Sequence, residues 1–153
     1  MKSAIVASIL SILFTSASSQ ANSKLFWITN VKSYNHETCM TSLEVSKGKF
    51  FTIEVGLSGV SFILSVNENY DSLSHRGYIQ LDNFYSLPVT SSVQGKNNIV
   101  VHNISTNILP EISKASKLRF LKHSIELGDT KSMLIGLNKC LELLKNEPTA
   151  WGG

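Results

Sequence analysis

The chain has 153 residues, 42% of them hydrophobic, which is enough for one compact domain to bury a single core without many cross-links. Its two cysteines exclude a disulfide scaffold and allow at most one reinforcing bridge. A formal charge of +3 is too mild to argue for nucleic acid or an anionic membrane surface as the partner.

Met1 to Ala21 read as an export signal: a lone early cation at Lys2, an apolar run from Ala4 to Phe14, and small side chains at Ser19 and Ala21 before a cut ahead of Asn22. The apolar run is about half the roughly 20 residues that span a bilayer, so cleavage is expected and anchoring is not. No cysteine follows the cut to carry a lipid, and no second long apolar run appears. The expectation is a periplasmic or secreted chain without a transmembrane segment. Residues 22–146 then form a single globular domain and 147–153 a flexible tail, in which Trp151 is a large apolar group that packing does not explain.

From Leu25 to about Gly128 the dominant period is two. Cys39, Leu43 and Val45 share one parity against Thr38, Ser42 and Glu44, which points Cys39 into the core. Phe51, Ile53, Val55 and Leu57 alternate with smaller or polar residues, Ser58-Gly59 turns the chain, and Val60, Phe62, Leu64 and Val66 resume: a hairpin with one buried face per strand. After a polar loop from Asn67 to His75, rich in turn formers, Ile79 and Leu81 carry the alternation on, and Tyr85, Leu87 and Val89 keep that parity. Gly95 to Asn98 makes another turn. Ile99-Val100-Val101 is apolar on both parities, as suits a central strand covered on both faces. Pro110 leads into a short helical turn expected over Glu111 to Ser116. Leu118 and Phe120 face one way and Ile125 and Leu127 have the opposite parity, which requires a bulge or tight turn near Lys122 to Ser124.

The period changes after Gly128. Asp129 and Thr130 offer capping oxygens, and Met133, Leu134, Leu137, Leu141 and Leu144 recur at spacings of three and four, predicting an amphipathic helix over about Lys131 to Lys145. Cys140 lies on its apolar stripe. In an oxidising compartment Cys39 and Cys140 are expected to form a disulfide. Closing a loop of about 100 residues is worth roughly 4 to 5 kcal/mol in the loop-entropy picture. Two inward-facing cysteines, one on a strand and one on the only long helix, meet only if that helix lies over the sheet. The fold expected is therefore α+β: about seven strands in a mainly antiparallel β-sheet or partial β-sandwich, with one C-terminal amphipathic helix packed on it.

Constellations for chemistry are scarce. His36, His75, His102 and His123 form no HExxH or HxH pair, and His36 with Cys39 is half a zinc site lacking its other half, so no metal is expected. The nine glycines are dispersed, there is no phosphate-cradling loop or Gly-x-Ser-x-Gly elbow, and no cofactor is expected. Asp71, Ser74 and His75 share a loop where acid–base work is conceivable, though turn chemistry accounts for them more simply. Asp82 reads either as a buried strand carboxylate or, more ordinarily, as part of a strand-end turn. Asn103-Ile104-Ser105 fits an N-glycosylation acceptor, meaningful only in a eukaryotic secretory pathway. Lys114, Lys117, Arg119, Lys122 and Lys131 gather basic charge, read as a solvated edge that discourages strand pairing.

The segment SIELGDTKSMLIGLNKC, Ser124 to Cys140, resembles the strand, Gly-Thr or Gly-Ser turn and cysteine-terminated helix that close many small exported proteins of alphaproteobacteria. Cys39-Met40-Thr41 is similar to the context of an early cysteine in those proteins. On these two segments the chain is distantly similar to the invasion-associated locus B group. The resemblance implies a periplasmic or surface-associated domain of largely antiparallel sheet plus a terminal helix, with no catalytic residues to carry over.

Trp27, Tyr34, Tyr70, Tyr78, Phe84 and Tyr85 are aromatics from which a binding face can be drawn, although period-two placement assigns most of them to the core. With no catalytic constellation beside them, the expected function is a non-catalytic module, not an enzyme, that binds a protein or a cell-envelope component. Tyr70, Asp71, His75, Arg76 and Tyr78 are its candidate binding residues. One rival reading is an inhibitor or immunity-type protein whose loop Asn67 to Gly77 plugs a secreted enzyme. Another is a hydrolase using His75 with Asp71 or Asp82.

Overall fold

The computed structural model describes residues 27–34, 36–56, 59–66 and 74–146. The expected signal at 1–21 and tail at 147–153, with Trp151, lie outside the described residues, as do Tyr70 and Asp71. In chain order the strands are β1 (Trp27–Tyr34), β2 (His36–Ser46), β3 (Lys49–Gly56), β4 (Gly59–Ser65), β5 (His75–Leu81), β6 (Tyr85–Gln94), β7 (Asn98–Ile104), β8 (Lys117–Phe120) and β9 (His123–Glu126). Helix α1 (Ile108–Ile112) precedes β8, and α2 (Thr130–Asn146) follows β9. All the strands join one antiparallel sheet in the order β1-β2-β3-β4-β7-β6-β5-β8-β9. The described residues form nine strands where about seven were expected; β8 and β9 are four residues each and joined by a tight turn.

The sheet curls over itself, and β6 is where it turns. Residues 85–91 of β6 pair with β5, whereas Ser92, Val93 and Gln94 pair with β7, so one strand serves both halves. Curling brings Phe51 on β3 and Phe120 on β8, five places apart in the sheet order, to a ring separation of 6.4 Å. Phe62 meets Phe51 edge-on at 5.4 Å and Trp27 does so at 6.1 Å. The Trp27 indole Nε1 also donates to the Leu127 carbonyl at 2.6 Å, which ties the first strand to the residue after the last. Around this cluster the expected alternation holds: Cys39, Leu43, Phe51, Ile53, Val60, Phe62, Ile79, Leu81, Leu118 and Phe120 are fully buried. Thr41, on the same parity as Cys39, is buried with them. Ile99, Val100 and Val101 are all buried on β7, the middle strand of the order.

Three local details refine the sequence reading. Gly56 pairs with Gly59 across the β3–β4 connection, and Gly59 has φ +126°; a Cβ there would sit 2.8 Å from the Ile104 carbonyl oxygen, so the close approach of β7 requires glycine. The β8–β9 connection is a tight turn at Leu121-Lys122, one residue earlier than expected, with Leu121 at φ 54°. It pairs Phe120 with His123 and Leu118 with Ile125, which is why inward parity switches from even to odd numbers. The expected helical turn at Glu111 to Ser116 is displaced: α1 is Ile108–Ile112, set by burial of Ile108, Leu109 and Ile112. Pro110 fits inside it because first-turn residues have no intrahelical acceptor for an N–H to lose.

Helix α2 starts at a side-chain cap. Asp129 Oδ1 accepts from the Ser132 N–H at 3.0 Å, and its Oδ2 accepts from the Ser132 hydroxyl at 2.6 Å. The Thr130 hydroxyl donates to the Ser113 carbonyl at 3.1 Å, joining the start of α2 to the end of α1. Met133, Leu137 and Cys140 form its buried stripe, and the helix lies against β1 and β2. There Cys39 and Cys140 are joined in a disulfide with a Cα separation of 6.0 Å. No described helix is long and apolar enough to cross a membrane.

Replacing both cysteines by alanine is expected to lower stability by about 2–5 kcal/mol, read from urea unfolding of the parent and the double variant. An unchanged midpoint would show that packing alone seats α2. Phe51→Ala, which removes the ring shared by Trp27, Phe62 and Phe120, is expected to cost about 3–5 kcal/mol in the same assay.

Candidate binding surface

Alternation along β5 divides the sequence-predicted residues between two faces. Ile79 and Leu81 point into the core on the same parity as half-buried His75, while Arg76 and Tyr78 point outward with Gln80. His75 therefore does not join Arg76 and Tyr78 on one surface. β5 is paired with β6 along its whole length and with β8 over Ile79–Leu81, so its outward side chains sit in fixed rows. Arg76 stands opposite Thr90, Tyr78 opposite Pro88, and Gln80 between Ser86 on β6 and Arg119 on β8. Proline is tolerated at Pro88 because β7 pairs only with Ser92, Val93 and Gln94, and among the described residues no strand adds to the rest of that edge of β6.

Two shallow depressions adjoin on this face. The first, about 320 Å³, is lined by Arg76, Gly77, Tyr78, Pro88, Val89 and Thr90. The second, about 400 Å³, lies beside Gln80, Ser86, Arg119 and the turn that carries Asp82, Asn83 and Phe84. Tyr78 is 57% exposed and Phe84 52%, whereas Trp27 and Tyr85 pack on the core. Of the aromatic set, Trp27 and Tyr85 thus belong to the core and Tyr78 and Phe84 to this surface; Tyr70 and the side chain of Tyr34 lie outside what is described. Gln80, Pro88 and Phe84 escaped the sequence reading as a group because cross-strand register, which assembles them, has no local signature.

Charge on this face is unevenly compensated. Lys114 pairs with Glu111 at 2.9 Å and Lys117 with Glu126 at 3.0 Å, so two members of the basic cluster belong to surface ion pairs. Among the described residues no carboxylate pairs with Arg76 or Arg119, and the contact of Arg119 is a 3.5 Å hydrogen bond to Gln80 Oε1. Four residues along β5 and one strand across put their backbone positions about 14 Å apart, with Tyr78 between them.

The residues suggested for acid–base work are not assembled. His75 and Asp82 lie at opposite ends of β5, about 23 Å of strand apart. Asp82 is an exposed turn residue at φ 43°, not a buried carboxylate. Its carboxylate accepts from the Ser116 N–H at 3.0 Å, the Ser116 hydroxyl at 3.1 Å and the Lys117 N–H at 2.9 Å, and its own N–H donates to the Lys117 carbonyl at 3.0 Å. The Ser116 N–H above all, with the Ser116 hydroxyl and the Lys117 N–H, holds Asp82 below the usual carboxylate range. Asp82 is thus a clasp that holds the start of β8. On the outer face of β7, His102 bridges Ser61 Oγ and Gln94 Nε2, each at 3.1 Å. The disulfide occupies Cys39, and the described residues contain no group of three or more metal-ligating side chains.

No protein-family model, curated protein or solved structure matches the chain.

Because the Asp82 pKa is lowered by folding, its contribution is fully present above the unfolded value, about 3.9, and is lost as pH falls through the folded value. Asp82→Ala is expected to lower the urea midpoint at neutral pH, and the gap from the parent is expected to narrow as both are acidified below pH of about 4. A gap that stays constant down to full protonation would show that the carboxylate charge is not what holds β8.

Proposed function

We propose that the chain is a non-catalytic module of the periplasm or extracellular space that binds a cell-envelope component through the outward face of β5, β6 and β8. One observation carries this reading: two guanidinium groups without carboxylate partners among the described residues flank an exposed tyrosine on a strand held from both sides. Unpaired arginines beside an amphipathic ring are the side chains enriched in recognition surfaces. Mounting them on a doubly paired strand lowers the ordering entropy that binding must overcome. A hydrolase built on His75 and Asp82 gains no support from an arrangement that separates them by the length of β5. The buried disulfide supports the exported setting, since such bonds persist where thiols are oxidised.

Sedimentation of purified protein with cell-envelope fragments tests this. The triple variant R76Q/Y78A/R119Q is expected to bind at least about tenfold more weakly than the parent, the equivalent of one lost charge-assisted hydrogen bond. Lys139→Gln, on the exposed side of α2, is expected to bind like the parent. Parent-like binding by a triple variant that retains its disulfide and circular dichroism would overturn the reading.

A further inference from the structure

We infer that the face formed by β5, β6 and β8 is a site for a carboxylate-bearing oligosaccharide lying along β5, an inference that rests on the binding role proposed above. Three features select this chemical class. First, Arg76 and Arg119 are anion receptors at both ends of the strip, and a guanidinium fork matches a carboxylate with two parallel hydrogen bonds. Their backbone separation of about 14 Å calls for an extended ligand with repeated charges, not a single small anion.

Second, what lies between the arginines is suited to sugar rings. Tyr78 presents a half-exposed ring beside Pro88, an apolar plate for the C–H face of a pyranose. Gln80, Ser86 and Thr90 stand in the neighbouring register positions and offer an amide and two hydroxyls, each able to donate to and accept from sugar hydroxyls. A phosphate or a bare cluster of acidic side chains has no use for that plate.

Third, the alternatives fit the backbone poorly. An extended acidic peptide gains affinity chiefly by adding a strand to an open edge. One edge of β5 is taken by β6 along its whole length and the other by β8 and the Leu121 N–H from Tyr78 to Leu81, which leaves at most three residues for an added strand; among the described residues the open stretch of β6 carries Pro88 in its middle, opposite Tyr78. A folded protein partner would use Arg and Tyr as well, but around a fully buried apolar centre, whereas here Tyr78 and Pro88 are the apolar pair between rows of polar side chains. Asp82 lies at one end of the strip, but its carboxylate oxygens are engaged by Ser116 and Lys117.

Calorimetric titration of the full chain with oligogalacturonate, its fully methyl-esterified neutral form, and oligoglutamate of matched charge decides the point. Oligogalacturonate is expected to bind with an affinity that falls as salt rises, and the ester and oligoglutamate to bind at least about tenfold more weakly. R76Q, R119Q and Y78A should each weaken oligogalacturonate about tenfold, Tyr78→Phe should restore the loss of Y78A, and K139Q should change nothing. Amide NMR shifts in the unaltered protein provide a readout independent of variant folding, and the largest are expected at residues 76–80, 86, 87, 89, 90 and 119. Absent binding, shifts confined to other strands, or equal binding of oligoglutamate with Y78A unaffected would each overturn the glycan assignment. If envelope sedimentation still depended on R76Q/Y78A/R119Q in that event, the binding role would survive its failure; if it did not, both would fall.

Discussion

The interaction on which this structure depends is the seat of α2 across β1 and β2, locked by Cys39–Cys140 over a sequence separation of 101 residues. The inward face of β1 and β2 needs an apolar cover, and the buried stripe Met133–Leu137–Cys140 supplies one. Dispersion and burial would favour that seat without the bond. The bond matters because it removes from the unfolded ensemble the states in which β2 and α2 are far apart. Trp27 works with it, since its indole reaches the Leu127 carbonyl just before α2 begins, so the first strand and the last are fixed at one place.

Two aspartates do the same job at smaller scale, each converting a strand or helix terminus into a satisfied boundary. Asp129 caps α2 through Ser132, and Asp82 gathers the N–H groups of Ser116 and Lys117 at the entry to β8. Both carboxylates are held below their ordinary pKa by donors that exist only in the fold: Ser132 above all for Asp129 and Ser116 above all for Asp82. Their placement has a consequence for β5. β8 is four residues long and would hold poorly by its ladder alone, yet its pairing along Ile79, Gln80 and Leu81 keeps one side of β5 from being an open edge.

Much of this fold was legible in the residues because burial on one face imprints a parity, and parity survives without knowledge of the partners. Phe51 to Val66, the inward Cys39 and the stripe of α2 follow from periods of two and of three to four. Strand order did not follow from parity. Nothing local in β4 says that its next neighbour is β7 and not β5, or that β6 changes partners after Ser91. The same gap accounts for the candidate site. Arg76 and Tyr78 were visible as neighbours of a polar loop, but grouping them with His75 treated sequence adjacency as spatial adjacency, which a strand reverses at every residue. Arg119 was visible only as one of five basic residues; register singled it out by setting it beside Gln80 while Lys114 and Lys117 found carboxylates.

Placing the proposed recognition on a strand interior instead of a loop has a physical corollary. Loops adapt, and their binding energy is reduced by the order they must acquire; the rows Arg76–Thr90 and Tyr78–Pro88 are already ordered by the ladder that builds the core beneath them. Ile79 and Leu81, fully buried on the opposite side of the same strand, hold Tyr78 and Gln80 at a fixed height above the interior. Mutations that loosen the packing under β5 should therefore weaken the proposed recognition without touching the surface, because the core and the candidate binding face are two sides of one strand. The disulfide acts on the face by the same route: it stabilises the curl, the curl packs Phe120 on Phe51, and Phe120 pairs with Ile79 in the ladder from which the outward residues project.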